Sequence, residues 1–394
     1  MSSTLREVLT KHLPPPGTSS LHRGGRSRDS TPLTWEKFFD ENRTVDVDGD
    51  SFNVYLKGSD GPVFYLLHGG GYSGLTWACF ANELTSRIQC RLLAPDLRGH
   101  GRTHTQDEKD LSVERQTRDI IGIYKAVFGE ESEEEPPIVC VVGHSMGGAL
   151  AVHVVATNEI PNMVGLVVID VVEGSAMEAL SGMMTFLRGR PSSFVSEEQA
   201  VTWCLQSGAT RNREAARISM PSQIKKTEDG KYTWRINLTD TEPFWVGWFE
   251  GLSAKFLSCH PPKLLVLAGV DRLDKDLTIA QMQGKFQNTI LPKVGHAVHE
   301  DSPDRLADEM ARFAIRHRFA VAVPGAKPIA AHPMMGAVQL TRRSPGRGPR
   351  RSGAALCFVY ADALSRVLLA GNERVDTPPF RRAIVSCAVV GEVS

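Results

Sequence analysis

The sequence predicts an α/β fold in which a mostly parallel central sheet carries helices on both faces. Continuous apolar segments such as "VFYLLHGGG" (63–71), "VGLVVIDVV" (164–172) and "KLLVLAGVDRLD" (263–274) alternate with segments of helical periodicity. Strands that are apolar throughout are typical of parallel sheets buried between two layers of helices. The 394 residues allow one large domain with tails.

The remaining elements follow in a regular order. Further strands are expected in "SFNVYL" (51–56), "CRLLAPDLRGHGRT" (90–103), "IVCVVGH" (138–144) and "FQNTILP" (286–292). Apolar residues recur at helical spacing in "LSVERQTRDIIGIYKAVFG" (111–129) and in "DSPDRLADEMARFAIRHRF" (301–319), where Asp301 or Ser302 could cap the helix. A small-residue helix is expected directly after "IVCVVGH".

The alternation stops between about residues 173 and 252. Helices are expected at 175–191, 197–208 and 212–220, followed by a short strand in "KYTWRINL" (231–238). An insertion at this place in such a sheet often forms a lid over a site. Its aromatic residues Trp234, Trp245 and Trp248 could shape a substrate groove or form the core of the lid, and their spacing leaves both open.

Both ends of the chain differ in composition from the middle. Residues 1–33 are rich in Pro, Gly, Ser and Arg, which favours a disordered tail. Residues 34–319 form the expected domain. Residues 320–394 are Pro-, Gly- and Arg-rich and locally basic, and we expect a second disordered tail without an assignable function.

Composition excludes several function classes. The net formal charge is zero, which gives no argument for nucleic acid or membrane partners, and no apolar run is long enough for a membrane span. The N-terminus lacks an apolar signal core and the seven cysteines are scattered, so a cytoplasmic or nuclear protein with reduced thiols is expected, not a secreted one. No metal-binding, P-loop or dinucleotide motif occurs, so neither metal nor cofactor is expected.

"GHSMG" (143–147) places Ser145 at the corner between a predicted strand and a predicted helix. Glycines tolerate the strained turn, and the following helix directs N–H groups towards a developing oxyanion. A serine hydroxyl needs a neighbouring base to become a nucleophile. We therefore predict Ser145 as the nucleophile, the alternative being a serine in a plain glycine turn.

The base is expected late in the chain, in "LPKVGHAVHEDSP" (291–303). His296 follows a glycine in the loop before the last helix, where it could reach Ser145, whereas His299 could be a helix-start or surface residue. The acid must orient this imidazole. Asp170 ends one strand, and Asp271 and Asp274 follow another; spacing alone slightly favours Asp271.

An oxyanion hole needs two backbone N–H groups. One is expected from Met146, directly after the nucleophile, and the other from "HGGG" (68–71), for which we select Gly70. Asp96 and Arg98, in "PDLRGHG" (95–101), are interpreted as structural residues that tie loops together beneath the site.

These motifs together resemble those of the protein phosphatase methylesterases, α/β hydrolases that remove the methyl ester from the C-terminal leucine of the protein phosphatase 2A catalytic subunit. The resemblance covers about residues 34–319, through "LLHGGGYSGLTWA", "PDLRGHGRT", "GHSMGGALAVH", "IDVVEGSAMEAL", "YTWRINL", "LAGVDRLDKDLTIAQMQGKFQ" and "GHAVHEDSPD". It implies the α/β-hydrolase fold, Ser145 as nucleophile, His296 as base and the phosphatase catalytic subunit as substrate and partner. It also implies Asp170 as the acid instead of Asp271.

Two departures from the family pattern concern docking. The family carries a long acidic insert before "YTWR", where this chain has only "IKKTEDGK", and the family ends soon after the segment that matches "IRHRFA". Two other functions remain open at this stage: a general hydrolase of small esters, and a non-catalytic phosphatase-binding protein. An epoxide or haloalkane hydrolase would need Asp at position 145.

Overall fold

The computed structural model describes residues 29–129, 135–269 and 273–326. Its strands are β1 (Glu41–Val47), β2 (Asp50–Lys57), β3 (Val63–Leu67), β4 (Arg91–Pro95), β5 (Val139–His144), β6 (Met163–Ile169), β7 (Ile224–Lys226), β8 (Tyr232–Trp234), β9 (Lys263–Leu267) and β10 (Gln287–Ile290). Its α-helices are α1 (Ala78–Thr85), α2 (Val113–Phe128), α3 (Met146–Thr157), α4 (Glu173–Arg188), α5 (Glu197–Ser207), α6 (Arg213–Ser219), α7 (Trp245–Phe249), α8 (Leu252–Ser258), α9 (Lys275–Met282), α10 (Val298–Asp301) and α11 (Pro303–Arg316).

Eight strands form one sheet in the order β1-β2-β4-β3-β5-β6-β9-β10. The first three strands of this order pair antiparallel, and all later neighbours pair parallel. The mostly parallel sheet confirms the predicted α/β fold. Strands β5 and β6 lie side by side, so the segments that follow their carboxyl ends meet at one edge of the sheet, where sites of such folds lie.

Helices cover both faces of the sheet. In β5, Val139 and Val141 belong to the cluster that packs against α2 and α3, whereas Cys140 and Val142 belong to the cluster that packs against α1 and α11. All four side chains are fully buried. This explains why the strand is apolar at every position, since alternate side chains enter opposite layers.

The described residues extend slightly beyond both ends of the expected domain of residues 34–319. The backbone N–H of Leu33 donates to the carbonyl of Arg217 in α6, and Arg217 forms a salt bridge with Asp29. At the other end, Gln89 N–H donates to the carbonyl of Val321. Residues 29–33 and 320–326 are therefore held by backbone contacts that composition does not reveal, and the rest of both predicted tails lies outside the described residues.

The segment 173–252 folds as a largely helical insertion that holds α4 to α7. The predicted helices are present as α4, α5 and α6, and the predicted strand pairs as β8 with β7 in an antiparallel hairpin. The hairpin closes through Thr227, whose N–H donates to the carbonyl of Lys231, and Gly230 adopts a left-handed φ of 82°. The chain thus makes a tight turn at "TEDGK" (227–231).

Candidate active site

Ser145 lies at the sharp turn between β5 and α3. Its backbone has φ 53° and ψ −121°, a strained conformation for a residue with a side chain. A Cβ on Gly143 would lie 2.0 Å from the carbonyl oxygen of Gly147, and one on Gly147 would lie 2.4 Å from those of Leu67 and His68. Both glycines are required because the turn is packed directly against the backbone of β3 and of α3.

Asp170 directly follows β6 and is hydrogen-bonded to His296. The distance between Asp170 Oδ2 and His296 Nδ1 is 2.7 Å, and Asp170 Oδ1 accepts from the backbone N–H of Ala268 at 2.9 Å. The Asp170 side chain is fully buried, whereas that of His296 is 49 % exposed. The carboxylate thus fixes one imidazole nitrogen and leaves the other directed elsewhere, an arrangement suited to a general base.

Neither of the other two candidate acids is seen to contact His296 in the described part of the chain. Asp274 caps α9 by accepting from Leu277 N–H, and it also accepts from the Ser253 hydroxyl at 2.5 Å. Asp271, which spacing alone favoured, lies outside the described residues. Of the candidates that the structure describes, the one bonded to His296 is therefore Asp170, in agreement with the family resemblance.

Ser145 and His296 line the same cavity. Within the described part of the chain, Ser145 Oγ has no hydrogen bond to the His296 ring. Nucleophile and base often approach closely only when a substrate is bound. This hydrogen bond has to form before the hydroxyl proton can pass to the imidazole.

Two further histidines lie beside His296 but are fully buried. His144 Nε2 donates to the carbonyl of His296 at 2.9 Å, so it holds the backbone of that loop. His299 is bonded through Nε2 to Thr76 Oγ1 at 2.7 Å, and the interpretation of His299 as a surface residue is wrong. Burial lowers the pKa of both rings, that of His299 to about 3. Both therefore stay neutral, and neither is exposed like His296.

The candidate oxyanion donors lie at the cavity wall. Neither Gly70 N–H nor Met146 N–H has a hydrogen-bond acceptor among the described residues, and Met146 is the first residue of α3. The neighbouring Gly71 N–H is already used, since it donates to His100 Nε2 at 2.9 Å. Within the glycine segment, the selection of Gly70 is therefore compatible with the hydrogen-bonding geometry, whereas Gly71 is committed elsewhere.

Asp96 and Arg98 hold the loops beneath this wall. The buried Asp96 carboxylate accepts from the backbone N–H groups of Gly74 at 2.7 Å and Arg102 at 2.8 Å. Arg98 is 2 % exposed and forms salt bridges of 2.6 Å with Asp50 and Asp119. These contacts link the loop after β4 to Gly74, in the segment before α1, and to α2, which is the structural role that the sequence suggested.

The cavity has a volume of about 380 Å³, within the range of small-molecule sites. Its wall is mostly apolar and comes largely from the insertion, including Leu180, Met183 and Phe186 of α4. Trp234, Trp245 and Trp248 all line the cavity, and Trp245 and Trp248 also belong to the main hydrophobic core. Trp234 instead packs against the insertion's own buried cluster, which includes Phe194 and Val201. The lid-core interpretation therefore fits Trp234, whereas Trp245 and Trp248 pack into the main core, and the substrate-groove interpretation stays a prediction.

Three charged residues of the site were not identified from the sequence. Arg190 and Glu300 line the cavity. Asp301 accepts through Oδ2 from Gly295 N–H at 2.6 Å and through Oδ1 from Arg211 N–H at 2.7 Å, which joins the His296 loop to the insertion. No local motif marks these positions, because their partners are distant in sequence.

Over the described ranges, no helix is long and apolar enough to cross a membrane. In the same part of the chain, no three His, Cys, Asp or Glu side chains are grouped so that they could hold a metal ion.

The model of the alpha/beta hydrolase family matches residues 64–309. Probable protein phosphatase methylesterase 1 of Caenorhabditis elegans is 61 % identical over 317 residues, covering 80 % of this chain and 86 % of the relative. The human protein phosphatase methylesterase 1 is 46 % identical over 370 residues, covering 80 % and 95 %. That of Schizosaccharomyces pombe is 41 % identical over 305 residues, covering 75 % and 89 %.

Among solved structures, E-2-(acetamidomethylene)succinate hydrolase aligns with a TM-score of 0.58 at 20 % identity, covering 70 % of this chain and 99 % of that chain. The thioesterase domain from the curacin biosynthetic pathway aligns with a TM-score of 0.53 at 21 % identity, covering 68 % and 98 %. These likenesses concern the fold. The relatives, identical at 41 to 61 % over most of both chains, show more: this chain belongs to the protein phosphatase methylesterase family, carboxylic ester hydrolases with the α/β-hydrolase fold.

Proposed function

We propose that this chain is a serine carboxylesterase that removes the methyl ester from the C-terminal leucine of the protein phosphatase 2A catalytic subunit. The observation that carries the proposal is the strained Ser145 turn at the same cavity as the hydrogen-bonded pair His296 and Asp170. The names of the relatives supply the substrate class. A cytoplasmic or nuclear location is part of the proposal, because the five described cysteines are free thiols.

Acylation uses the imidazole nitrogen that Asp170 does not occupy. His296 Nε2 takes the Ser145 hydroxyl proton while Oγ attacks the ester carbonyl, and Asp170 stabilises the resulting imidazolium. The carbonyl oxygen becomes an oxyanion and accepts from the N–H groups of Gly70 and Met146. When the tetrahedral intermediate collapses, the bond to the methoxy group breaks and His296 returns the proton, so methanol leaves.

Deacylation repeats these steps with water as the nucleophile. His296 takes a proton from water, the hydroxide adds to the acyl carbon, and the same two N–H groups hold the oxyanion. The bond to Ser145 Oγ then breaks, and Oγ regains its proton from His296. The acid product releases its proton to solvent, which leaves the free leucine carboxylate and the unmodified enzyme. The apolar cavity wall suits a leucyl side chain, whose burial contributes about 2 kcal/mol of binding free energy.

A general hydrolase of small esters would use the same residues. The observation that bears on this alternative is the missing hydrogen bond between Ser145 and His296. If binding of the phosphatase brings these two side chains together, short esters will react slowly and the phosphatase ester quickly. A general esterase would show the reverse preference.

The test is a demethylation assay with the carboxymethylated phosphatase catalytic subunit. The parent chain should release the methyl group. The Ser145→Ala chain should bind the subunit but leave its methyl ester intact. Equal or higher kcat/KM on a short-chain nitrophenyl ester would favour the general esterase. Stable binding of the subunit without demethylation by the parent chain would overturn the catalytic proposal and favour a non-catalytic phosphatase-binding protein.

A further inference from the structure

Arg190 presents a cation to the cavity without an anionic partner. It follows α4, and its guanidinium carbon lies 3.5 Å from the ring centroid of Trp234. In the part of the chain that the structure describes, its guanidinium has no hydrogen bond and no salt bridge. Arg190 lines the same cavity as Ser145 and His296.

The platform beneath Arg190 is fixed by its own contacts. Trp234 Nε1 donates to the carbonyl of Pro191 at 2.7 Å, so the indole is tied to the residue next to the arginine. The Trp234 ring also packs edge-on against Phe194 and Trp203, each with a centroid distance of 5.5 Å. A guanidinium stacked on this indole therefore keeps its orientation, with its N–H groups available at the edge of the plane.

Arg190 keeps its positive charge although it lies in a mostly apolar cavity wall. Burial lowers the pKa of Arg190 to about 10, so the group remains cationic at neutral pH although it is poorly solvated. Glu300, the carboxylate in the same cavity wall, instead accepts from the Thr76 hydroxyl at 2.6 Å. A poorly solvated cation that lacks a counter-ion gains most from an anionic ligand, since arginine binds carboxylates through paired hydrogen bonds.

We propose that Arg190 binds the carboxylate of an acidic side chain that lies a few residues before the methyl-esterified leucine, and that it thereby selects acidic substrate tails. The inference rests on the proposed function, which places the esterified leucine at Ser145. Ser145 and the Arg190–Trp234 pair line the same cavity, so a peptide whose esterified leucine lies at Ser145 can place a preceding side chain at the guanidinium.

Binding can be measured without turnover in the Ser145→Ala chain. The probes are fluorescent hexapeptides that end in leucine methyl ester, with alanine elsewhere and either glutamate or glutamine at one of the four positions before leucine. At one position at least, we expect glutamate to bind about tenfold to a hundredfold more tightly than glutamine, as for a charge-assisted hydrogen bond. Adding Arg190→Met should reduce this ratio to near one, and Arg190→Lys should retain part of it.

The matched control is Arg188→Met, which removes an exposed arginine two residues away that does not line the cavity. This change should leave the preference for glutamate in place. The proposal is overturned if no position shows a preference, including the case of no detectable binding, or if the preference survives Arg190→Met. A third result would also overturn the proposal. If the chain binds the demethylated peptide more tightly than the ester, loses this preference in Arg190→Met and shows no preference for glutamate, then Arg190 binds the product carboxylate. Failure of the parent chain to demethylate the phosphatase would instead count against the proposed function.

Discussion

Two residues of the proposed triad hold strained backbone conformations. Ser145 has φ 53° and Asp170 has φ 54°, and they directly follow β5 and β6, which are neighbours in the sheet. Backbone strain of this kind costs about 1 to 3 kcal/mol per residue and persists where the surroundings fix it. The glycines that flank Ser145 indicate its strained conformation in the sequence. No neighbouring residue indicates the strained conformation of Asp170, which is why spacing alone favoured Asp271.

We predict that Asp170→Asn lowers kcat by about 10³- to 10⁴-fold while the fold is retained. An amide of the same shape can present its N–H to His296 Nδ1, which favours the tautomer that cannot accept the Ser145 proton. The measurement is kcat on the methylated phosphatase subunit, with circular dichroism as the check on folding.

Asp271→Asn is the matched control for this prediction. If Asp170 is the acid, Asp271→Asn should keep kcat within a few-fold of the parent chain. A loss of several hundredfold or more in Asp271→Asn, with Asp170→Asn close to the parent, would exchange the two assignments and return the acid to the residue that spacing favoured.

At the scale of elements, the sequence predicted the buried strands and most of the insertion, because their patterns are local. The edge strand β1 was missed, since five of its seven residues are not buried and all five are polar. Asp301 shows a second limit of prediction from the sequence. Its position before the last helix suggested a capping role, yet its carboxylate instead joins Gly295 to Arg211, contacts that are set by the packing of the insertion against the sheet.

We predict that Asp301→Ala destabilises the chain by about 2 to 4 kcal/mol and also lowers kcat. The Asp301 side chain is 2 % exposed, so its removal leaves the N–H groups of Gly295 and Arg211 without their acceptor. Because Gly295 precedes His296, the base loses part of its support. Thermal unfolding and kcat would be measured on the same preparation.

Asp304→Ala serves as the comparison. Asp304 lies exposed in the first turn of α11, where an acidic residue contributes about 0.3 to 1 kcal/mol through the helix dipole. It should change stability slightly and leave kcat unaltered. If Asp301→Ala is destabilised but keeps the parent kcat at a temperature where it is folded, Asp301 supports the fold without positioning His296.

For the whole molecule, the sheet and the insertion share one boundary, and buried charged groups lie along it. Glu300 is 1 % exposed there and accepts from Thr76, which belongs to the segment before α1. Its neighbours include the half-buried Tyr72 and the carboxylate of Asp301. A carboxylate at such a place couples the protonation state of the site to the stability of the whole fold.

Burial raises the pKa of Glu300 from an ordinary 4.5 to about 7, and the nearby hydroxyl groups of Ser219 and Thr76 offset this only in part. Between these two pH values the folded chain holds a proton that the unfolded chain has released. The contribution of Glu300 to stability is thus fully present below pH 4.5 and is lost as the pH rises to about 7. The loss amounts to roughly 3 kcal/mol.

We therefore predict that Glu300→Gln gains stability relative to the parent chain as the pH rises from about 4.5 to 7.5, because the amide does not titrate. The free energy of unfolding would be measured by denaturant titration at several pH values for both chains. Glu159→Gln, at an exposed position after α3, controls for the loss of a carboxylate elsewhere and should give a difference that does not change with pH. A pH-independent difference for Glu300→Gln as well would mean that Glu300 is ionised throughout this range in the folded protein, with its negative charge held at the cavity that receives the substrate.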